Sequence, residues 1–201
     1  MRGVRDDAPR DADDPRRQRL LDAAFAVFCR YGFRKTSMEE IARAADLSRQ
    51  ALYLRFETKE ALFRATLQHA LDAALGAAQA RLGDGDAPLD ARLVGAFDAW
   101  VGRFVGALGA DAVDLEETSG ALAGPVIPEY DGRFVDAVAK ALRGAGLAGA
   151  YGLPGLTAKQ LASTLYATAR GLKHSCKTRA EFVAELSLAA RLLCAPLRRD
   201  G

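Results

Sequence analysis

Five Ser or Thr residues each stand directly before a segment whose apolar residues recur at three- and four-residue spacing: Ser37, Ser48, Thr58, Thr157 and Thr178. Their hydroxyl oxygens can accept hydrogen bonds from the unpaired N–H groups that open a helix. A Glu or Gln three residues later completes a capping box at Ser37, Thr157 and Thr178. No segment shows sustained strand alternation. We therefore expect an all-α chain of about nine helices.

The helical segments fall into regions of different character. Residues 1–15 are rich in Asp, Arg and Pro, which predicts a flexible tail. Three short helices are predicted within residues 16–67, and a long helix over 58–82 leads into a helical bundle that fills residues 68–201. Farther along, the pattern predicts a Gly-rich loop at 144–155 and helices near 89–108, 111–119, 125–143, 157–174 and 178–194.

Composition excludes several classes of protein. Half of the residues are apolar and 27% are charged, which is typical of a globular chain. We expect neither a membrane span nor a secretory signal, because the apolar runs are too short and the N-terminal segment lacks an apolar core. Cys29, Cys176 and Cys194 are far apart and odd in number, which favours a reduced, cytoplasmic location. With two histidines, the chain is expected to hold no metal or other cofactor.

Positive charge is concentrated in one short block. The net charge is +2, but residues 16–68 carry eleven Lys and Arg against six Asp and Glu. Residues 69–201 carry fourteen Lys and Arg against fifteen Asp and Glu. Such a basic block suggests an anionic partner, and nucleic acid is the candidate. A solvated helix surface is the alternative on charge alone.

Residues 45–47 separate the second and third helices, a spacing typical of a helix-turn-helix over about residues 37–56. Apolar residues on one side of the third helix should pack against the first two helices. The other side carries Arg49 and Gln50, which match the hydrogen-bonding edges of guanine and adenine in the major groove. Other polar side chains nearby suit phosphate oxygens. The candidate DNA contacts are Thr36, Ser37, Ser48, Arg49, Gln50, Tyr53, Arg55 and Lys59.

The run TSMEEIARAADLSRQALYLRFETKEALF resembles the DNA-binding motif of TetR-family transcriptional regulators, also called the TetR/AcrR family. The resemblance covers about residues 16–67, with the family's Ser, Leu-Tyr, Phe and Lys-Glu positions at the expected spacing. Asp46 stands where the family usually has Gly, but Asp tolerates left-handed backbone. The resemblance implies that Tyr53 and Lys59 contact phosphates. It also implies a C-terminal domain that binds a small ligand and dimerises.

The last two predicted helices are the candidate dimer interface. The helix at 178–194 has an apolar face wide enough to cover more than one neighbour, and the helix at 157–174 carries small residues that permit close approach. Two such helices from each chain would form a four-helix interface, although burial within one monomer is the alternative. A two-fold dimer predicts a palindromic double-stranded DNA operator, with reading helices about 34–36 Å apart.

Aromatic residues in the middle of the chain are candidates for an effector pocket. Phe97, Trp100 and Phe104 share one helix face, and ordinary core packing is the alternative for each of them. Arg170 and His174 also share a face, where they could read a ligand or stabilise a helix end. The candidate ligand-binding residues are Phe97, Trp100, Phe104, Glu116, Tyr130, Phe134, Tyr166, Arg170 and His174.

These observations favour a dimeric repressor that is released from its operator by a small, largely apolar effector. A helical enzyme or carrier that uses the aromatic pocket is a second hypothesis. No nucleophile–base pair, phosphate loop or metal set is visible, so we do not expect an enzyme. A nonspecific architectural DNA binder is a third hypothesis, against which the Arg49 and Gln50 pair argues.

Overall fold

The computed structural model describes residues 14–106, 120–122 and 124–198, and every regular element of those ranges is helical. The predicted all-α fold class is therefore confirmed. Short 3₁₀ turns follow the fifth and ninth helices, at Gly102–Phe104 and Ala195–Arg198. The helices are α1 (Pro15–Lys35), α2 (Met38–Ala44), α3 (Arg49–Arg55), α4 (Lys59–Gly83), α5 (Leu89–Trp100), α6 (Val126–Gly144), α7 (Leu147–Ala150), α8 (Ala158–Ser175) and α9 (Arg179–Cys194).

Helix α1 begins one residue before the predicted start and contains a break near its end. Asp14 caps it by accepting a hydrogen bond from the Arg16 N–H at 3.0 Å, and Pro15 occupies the first turn, where a missing N–H costs nothing. The rest of the predicted tail, residues 1–13, lies outside the described residues. Gly32 interrupts the helical geometry with φ 76° and ψ 170°, a conformation that is nearly restricted to glycine.

The helix-turn-helix forms from local signals that the sequence contains. Ser37 and Glu40 make the predicted capping box at the start of α2. Asp46 adopts a positive φ of 54°, the left-handed backbone expected at this turn. The Leu47 N–H donates to the Ala42 carbonyl at 2.9 Å, which closes the turn. Ser48 then caps α3 by accepting from the Ala51 N–H at 3.1 Å.

The chain divides into two compact units, and α4 contributes residues to both. The first unit comprises residues 1–70 and 109–124, and the second comprises 71–108 and 125–201. In the first unit, Leu52 of α3 is fully buried in an apolar core with residues from α1, α2 and α4. Phe28, Phe33 and Phe63 pack their rings together in this core, with centroids 5.0–5.9 Å apart. The buried core residues are Leu20, Leu21, Ala24, Phe28, Met38, Ile41, Ala42, Leu52, Leu62 and Phe63.

In the second unit, α6 packs on α8, and α9 packs on both α5 and α8. Phe97, Phe134 and Phe182 from three of these helices are fully buried. Arg179 at the start of α9 makes a two-pronged hydrogen-bonded ion pair with Asp98 of α5, at 2.7 and 2.6 Å. This pair adds to the buried contacts between α9 and α5, because a planar guanidinium fork accepts few geometries.

Three local predictions need correction. Helix α5 ends at Trp100 and not near residue 108, since the chain turns through the 3₁₀ segment and a left-handed Gly106. The predicted loop at 144–155 contains α7, which buries Leu147. Thr178 caps α9, but the Glu181 carboxylate accepts from the Lys177 N–H at 2.8 Å, one residue before the expected capping-box position. The predicted helix at 111–119 lies outside the described residues.

The helices at 157–174 and 178–194 are confirmed within one residue at each end. The Thr157–Gln160 capping box that opens α8 is also present. Among the described helices, none combines the length and the apolar character that crossing a bilayer requires.

We predict that Gly32→Ala destabilises the protein by about 1–3 kcal/mol, because a Cβ at this φ and ψ is strained. Gly76→Ala is the matched control, since Gly76 lies within α4 and nothing stands within 4 Å of the added Cβ. The control should stabilise by about 0.5–1 kcal/mol. Urea unfolding midpoints measure both changes, and equal effects at the two positions would contradict the prediction.

Candidate nucleic-acid interface

Helix α3 presents a polar surface to solvent and an apolar one to the core. Its Leu52 side chain is fully buried, whereas Arg49 and Gln50 are exposed. We call the outward residues Ser48, Arg49, Gln50, Tyr53 and Arg55 the α3 face; all five are exposed. The expected outward orientation of Arg49 and Gln50 is present, and their contact with bases stays a prediction. The guanidinium and amide groups are thus exposed on a helix that is anchored to the core through Leu52.

Arg49 and Tyr53 interact on the α3 face. The Arg49 guanidinium carbon lies 5.5 Å from the centroid of the Tyr53 ring, at the spacing of one helical turn. Stacking on an aromatic ring restricts the rotamers of the arginine. Arg49 is therefore partly preorganised before any partner arrives, which lowers the entropy cost of binding.

The Thr36 hydroxyl is used inside the protein. Thr36 is only 2% exposed, and its hydroxyl donates to the Gly32 carbonyl at 2.6 Å. A phosphate contact by the Thr36 side chain stays a prediction that its burial works against. Its hydrogen bond instead satisfies a carbonyl at the break in α1.

The Ser37 hydroxyl is exposed but already engaged with Glu40. It donates to the Glu40 carboxylate at 2.9 Å and accepts from the Glu40 N–H at 3.2 Å. The Ser37 N–H also donates to that carboxylate at 2.8 Å, and this hydrogen bond lowers the pKa of Glu40. A negative carboxylate beside the hydroxyl disfavours an approaching phosphate. A Ser37 phosphate contact stays a prediction that the cap works against.

Lys59 reaches back from the start of α4. Its ammonium donates to the carbonyls of Phe33 and Thr36, each at 2.9 Å, and lies 4.3 Å from the centroid of the Phe33 ring. Two of the three N–H groups are thereby directed at the protein itself. The phosphate contact that the family resemblance implies for Lys59 stays a prediction. In the structure this side chain hydrogen-bonds to backbone carbonyls of its own chain.

Leu54 is 82% exposed and adjoins the α3 face. Sequence reasoning missed one feature of this region. The Lys59 contacts join residues 23 and 26 positions apart, and no local pattern reports them.

The second unit brings four of the predicted ligand-binding residues into one group. Phe134 stacks on Trp100 with centroids 5.2 Å apart, meets Phe97 edge-on at 4.9 Å, and lies 6.0 Å from Tyr166. Phe97, Trp100 and Phe134 are buried. These rings pack directly against one another, so in this structure they form part of the core. We call these four residues the aromatic group.

Tyrosine hydroxyls lie at the margins of this packing. Burial raises the pKa of Tyr166 well above its usual range, and a hydrogen bond with Asp131 adds to the effect. Burial likewise raises the pKa of Tyr130, whose hydroxyl donates to Asp72 of α4. Both phenols are therefore hydrogen-bonding groups and not acids near neutral pH.

The other predicted ligand-binding residues are dispersed. Phe104 lies in the 3₁₀ turn after α5, with the Arg103 guanidinium 5.4 Å from its ring centroid. Arg170 and His174 are exposed on α8, and His174 occupies the last turn, where a cation is favoured. Glu116 lies outside the described residues. In the ranges that the structure describes, no three His, Cys, Asp or Glu side chains are grouped to hold a metal ion.

Residues 20–66 match the family model described as bacterial regulatory proteins of the TetR family. This region of the chain belongs to the TetR family. The matched region contains α2, α3 and the Lys59 contacts, so the family assignment rests on the unit that carries the α3 face.

Curated relatives match a part of the chain of similar length. Identity is 37% over 62 residues with the uncharacterised HTH-type transcriptional regulator YfiR of Bacillus subtilis, which is 31% of this chain. It is 45% over 47 residues (23% of this chain) with a probable acrEF/envCD operon repressor of Escherichia coli, and 39% over 57 residues (28%) with Escherichia coli RutR. These matches span only 30%, 21% and 27% of the relatives' lengths.

Solved structures match over most of the chain. Salmonella enterica GusR is 25% identical, with a TM-score of 0.64 over 90% of this chain and 96% of that one. The fatty acid degradation regulator FadR of Bacillus halodurans is 18% identical, with a TM-score of 0.66 over 92% of this chain and 97% of that one. At such identity the FadR likeness shows the fold alone.

We predict that the capping box makes stability depend on pH below about 4.5, the ordinary pKa of Glu40. The pKa of Glu40 is lowered on folding, so its contribution is present above that pH and is lost as the pH falls through the folded-state pKa. Glu40→Gln should remove this part of the pH dependence. Glu39→Gln, which deletes a charge from the same turn of α2, should retain it. Thermal unfolding between roughly pH 5 and pH 3 measures the difference, and identical profiles for the two variants would rule the effect out.

Proposed function

We propose that this TetR-family chain is a DNA-binding transcriptional regulator and that the α3 face enters the major groove. The observation that carries the proposal is the exposure of Arg49 and Gln50 on a helix whose Leu52 side chain is fully buried in the core. An arginine can donate two hydrogen bonds to guanine, and a glutamine can pair with adenine. The buried side resists displacement of the helix, so these groups keep their orientation when they meet base edges.

Phosphate contacts would come from the rest of the α3 face. Tyr53 and Arg55 are exposed beside the base-reading pair, and Ser48 uses its hydroxyl oxygen as an acceptor in the cap, which leaves its proton to donate. The excess of eleven Lys and Arg over six Asp and Glu in residues 16–68 favours a polyanion at this unit. These contacts supply affinity, whereas Arg49 and Gln50 supply sequence preference.

We further propose a homodimer through α8 and α9. Leu188 and Leu192 lie one turn apart on α9 and remain exposed, Leu192 at 66%. The exposed hydroxyls of Thr164 and Thr168 on α8 donate to carbonyls four residues earlier, at 2.9 and 3.0 Å. The donors of these two hydroxyls are thus satisfied within their own helix. A second copy of the same surface would cover both features in a two-fold, four-helix contact.

The regulatory part of the proposal is repression relieved by a small, largely apolar effector. One relative is named as an operon repressor, which supports that direction of control. An effector that parts the rings of the aromatic group would move α5 or α6, and α4 contributes residues to both compact units. The effector must bind the DNA-free form more tightly, because a ligand shifts an equilibrium only by its differential affinity. A palindromic operator and a cytoplasmic location follow from the same proposal.

Arg49→Ala should cost about 1–3 kcal/mol of discrimination at one base pair in each half-site and leave the other positions unchanged. The control is Arg143→Ala, which removes an exposed arginine at the end of α6, in the second unit. Affinities for duplexes in which each base pair is replaced in turn measure the effect. Equal behaviour of the two variants would exclude Arg49 as a base-reading residue.

The same binding assay separates the regulator from a helical enzyme or carrier. DNA affinity of a regulator falls steeply with salt, since each neutralised phosphate releases counterions. An enzyme or carrier that uses the aromatic group would show no salt-dependent retention on DNA, and that result would overturn the proposal.

Leu192→Glu, alone or with Leu188→Glu, should convert the dimer to monomers, because a carboxylate in an apolar contact between two copies is costly to desolvate. Leu153→Glu is the matched control, since Leu153 is 60% exposed but lies in the segment before α8. Sedimentation equilibrium gives the mass of each variant. A monomeric wild type, or a Leu192→Glu variant of unchanged mass, would contradict the proposed interface.

A further inference from the structure

Lys59 has an unusual position for a cation. It is the first residue of α4, the end at which a helix dipole disfavours positive charge. Its ammonium turns away from that end and donates to the carbonyls of Phe33 and Thr36, which lie at the end of α1 and just after it. Helix C-terminal carbonyls favour a cation. The ammonium is therefore better placed at the end of α1 than at the start of α4.

The Lys59 side chain is also held by the core beneath it. The ammonium lies 4.3 Å from the centroid of the Phe33 ring, and that ring packs on Phe63 and Phe28 at 5.2 and 5.9 Å. A cation over an aromatic ring gains energy that increases as water is excluded, and Lys59 is half-buried. Its position is therefore fixed from two sides, by carbonyl oxygens and by a ring that belongs to the core.

These contacts link the two ends of the segment that contains α2 and α3. The bond from Lys59 to the Thr36 carbonyl joins the two ends of residues 37–58, a segment that contains all of α2 and α3. Helix α2 begins two residues after Thr36, and α3 ends four residues before Lys59. With both ends tied to one ammonium, the segment has less freedom to shift on the core than burial of its apolar side chains alone would allow.

We infer that Lys59 is a positioning residue, whose ammonium fixes α3 for base reading by joining the ends of segment 37–58, and is not a phosphate ligand. The inference rests on the proposed function, in which the α3 face reads DNA. It assigns the phosphate contacts to exposed cations such as Arg55 and gives Lys59 a part in specificity. Lys59 then influences affinity for a particular sequence more than affinity for DNA in general.

Lys59→Met tests this inference because it keeps the stem over Phe33 and removes the donors. Affinities are measured for a duplex enriched by the wild-type protein from a randomised pool and for a mixed-sequence duplex. Both are measured across a salt series at a temperature where circular dichroism shows every variant folded. Arg55→Met is the comparison variant, since Arg55 is exposed and is assigned to phosphate.

A positioning role predicts that Lys59→Met lowers the ratio of enriched to mixed-sequence affinity by about tenfold, the effect of losing hydrogen bonds from a charged group. The slope of log affinity against log salt stays at the wild-type value. Arg55→Met should reduce that slope by about 0.9, as expected for one lost phosphate contact. Lys59→Arg keeps the charge but presents a planar fork, and it should also lower the affinity ratio.

Two results would overturn the inference. A salt slope that falls in Lys59→Met as it does in Arg55→Met, with wild-type binding by Lys59→Arg, identifies a phosphate ligand. Unchanged ratio and slope with only a lower melting temperature identify a purely structural lysine. If Lys59→Met does not fold, the Lys59→Arg ratio alone decides, and a wild-type ratio contradicts positioning.

Failure of the proposed function is recognised separately. A wild-type protein that shows no preference between the two duplexes lacks sequence-specific binding, whatever Lys59 does. Hydrogen exchange of the α2 amides in the free protein then tests whether the Lys59 hydrogen bonds restrain segment 37–58. Exchange should be faster in Lys59→Arg than in wild type, and unchanged exchange would show that the ammonium does not hold the segment.

Discussion

Burial of Leu52 is the contact on which the candidate site depends. Helix α3 has seven residues, too few to be stable by itself in water. Its conformation is therefore maintained by the core that Leu52 enters with α1, α2 and α4. Since residues two positions apart point to nearly opposite sides of a helix, turning Leu52 inward turns Gln50 outward. Arg49 is the first residue of α3 and is also exposed. The exposure of Gln50 is a consequence of packing on the opposite side.

The polar residues of the first unit have two roles: some hydrogen-bond to the backbone at helix ends, and others remain at the surface. Hydroxyls at Thr36, Ser37 and Ser48 satisfy backbone groups at helix ends, where unpaired donors and acceptors are costly. Cations and amides on the α3 face are not needed for those ends and remain at the surface. Lys59 differs from both groups, because it is a cation whose ammonium donates to backbone carbonyls. The residues nearest to a DNA partner thus differ in how much of their bonding capacity is still available.

Much of this arrangement could be predicted from the sequence because it is local. A hydroxyl and an acid three residues apart specify where α2 begins, and the left-handed geometry of Asp46 follows from its position in a short turn. Non-local contacts were not predictable in this way. The early end of α5 and the burial of Thr36 depend on neighbours that the chain reaches only after folding. Periodicity likewise grouped Phe97 with Trp100 but did not indicate that Phe134 would close the space beside them.

Enrichment of DNA from a pool of randomised duplexes tests the central claim most directly, namely that the outward pair on α3 reads bases. The wild-type protein and an Arg49→Ala, Gln50→Ala double variant are carried through the same rounds. The account predicts that wild type enriches a palindrome with half-sites about 10 base pairs apart, centre to centre, and that the double variant loses preference at the same positions in both halves. No enrichment by the wild type, or the same sequence enriched by both proteins, would contradict it.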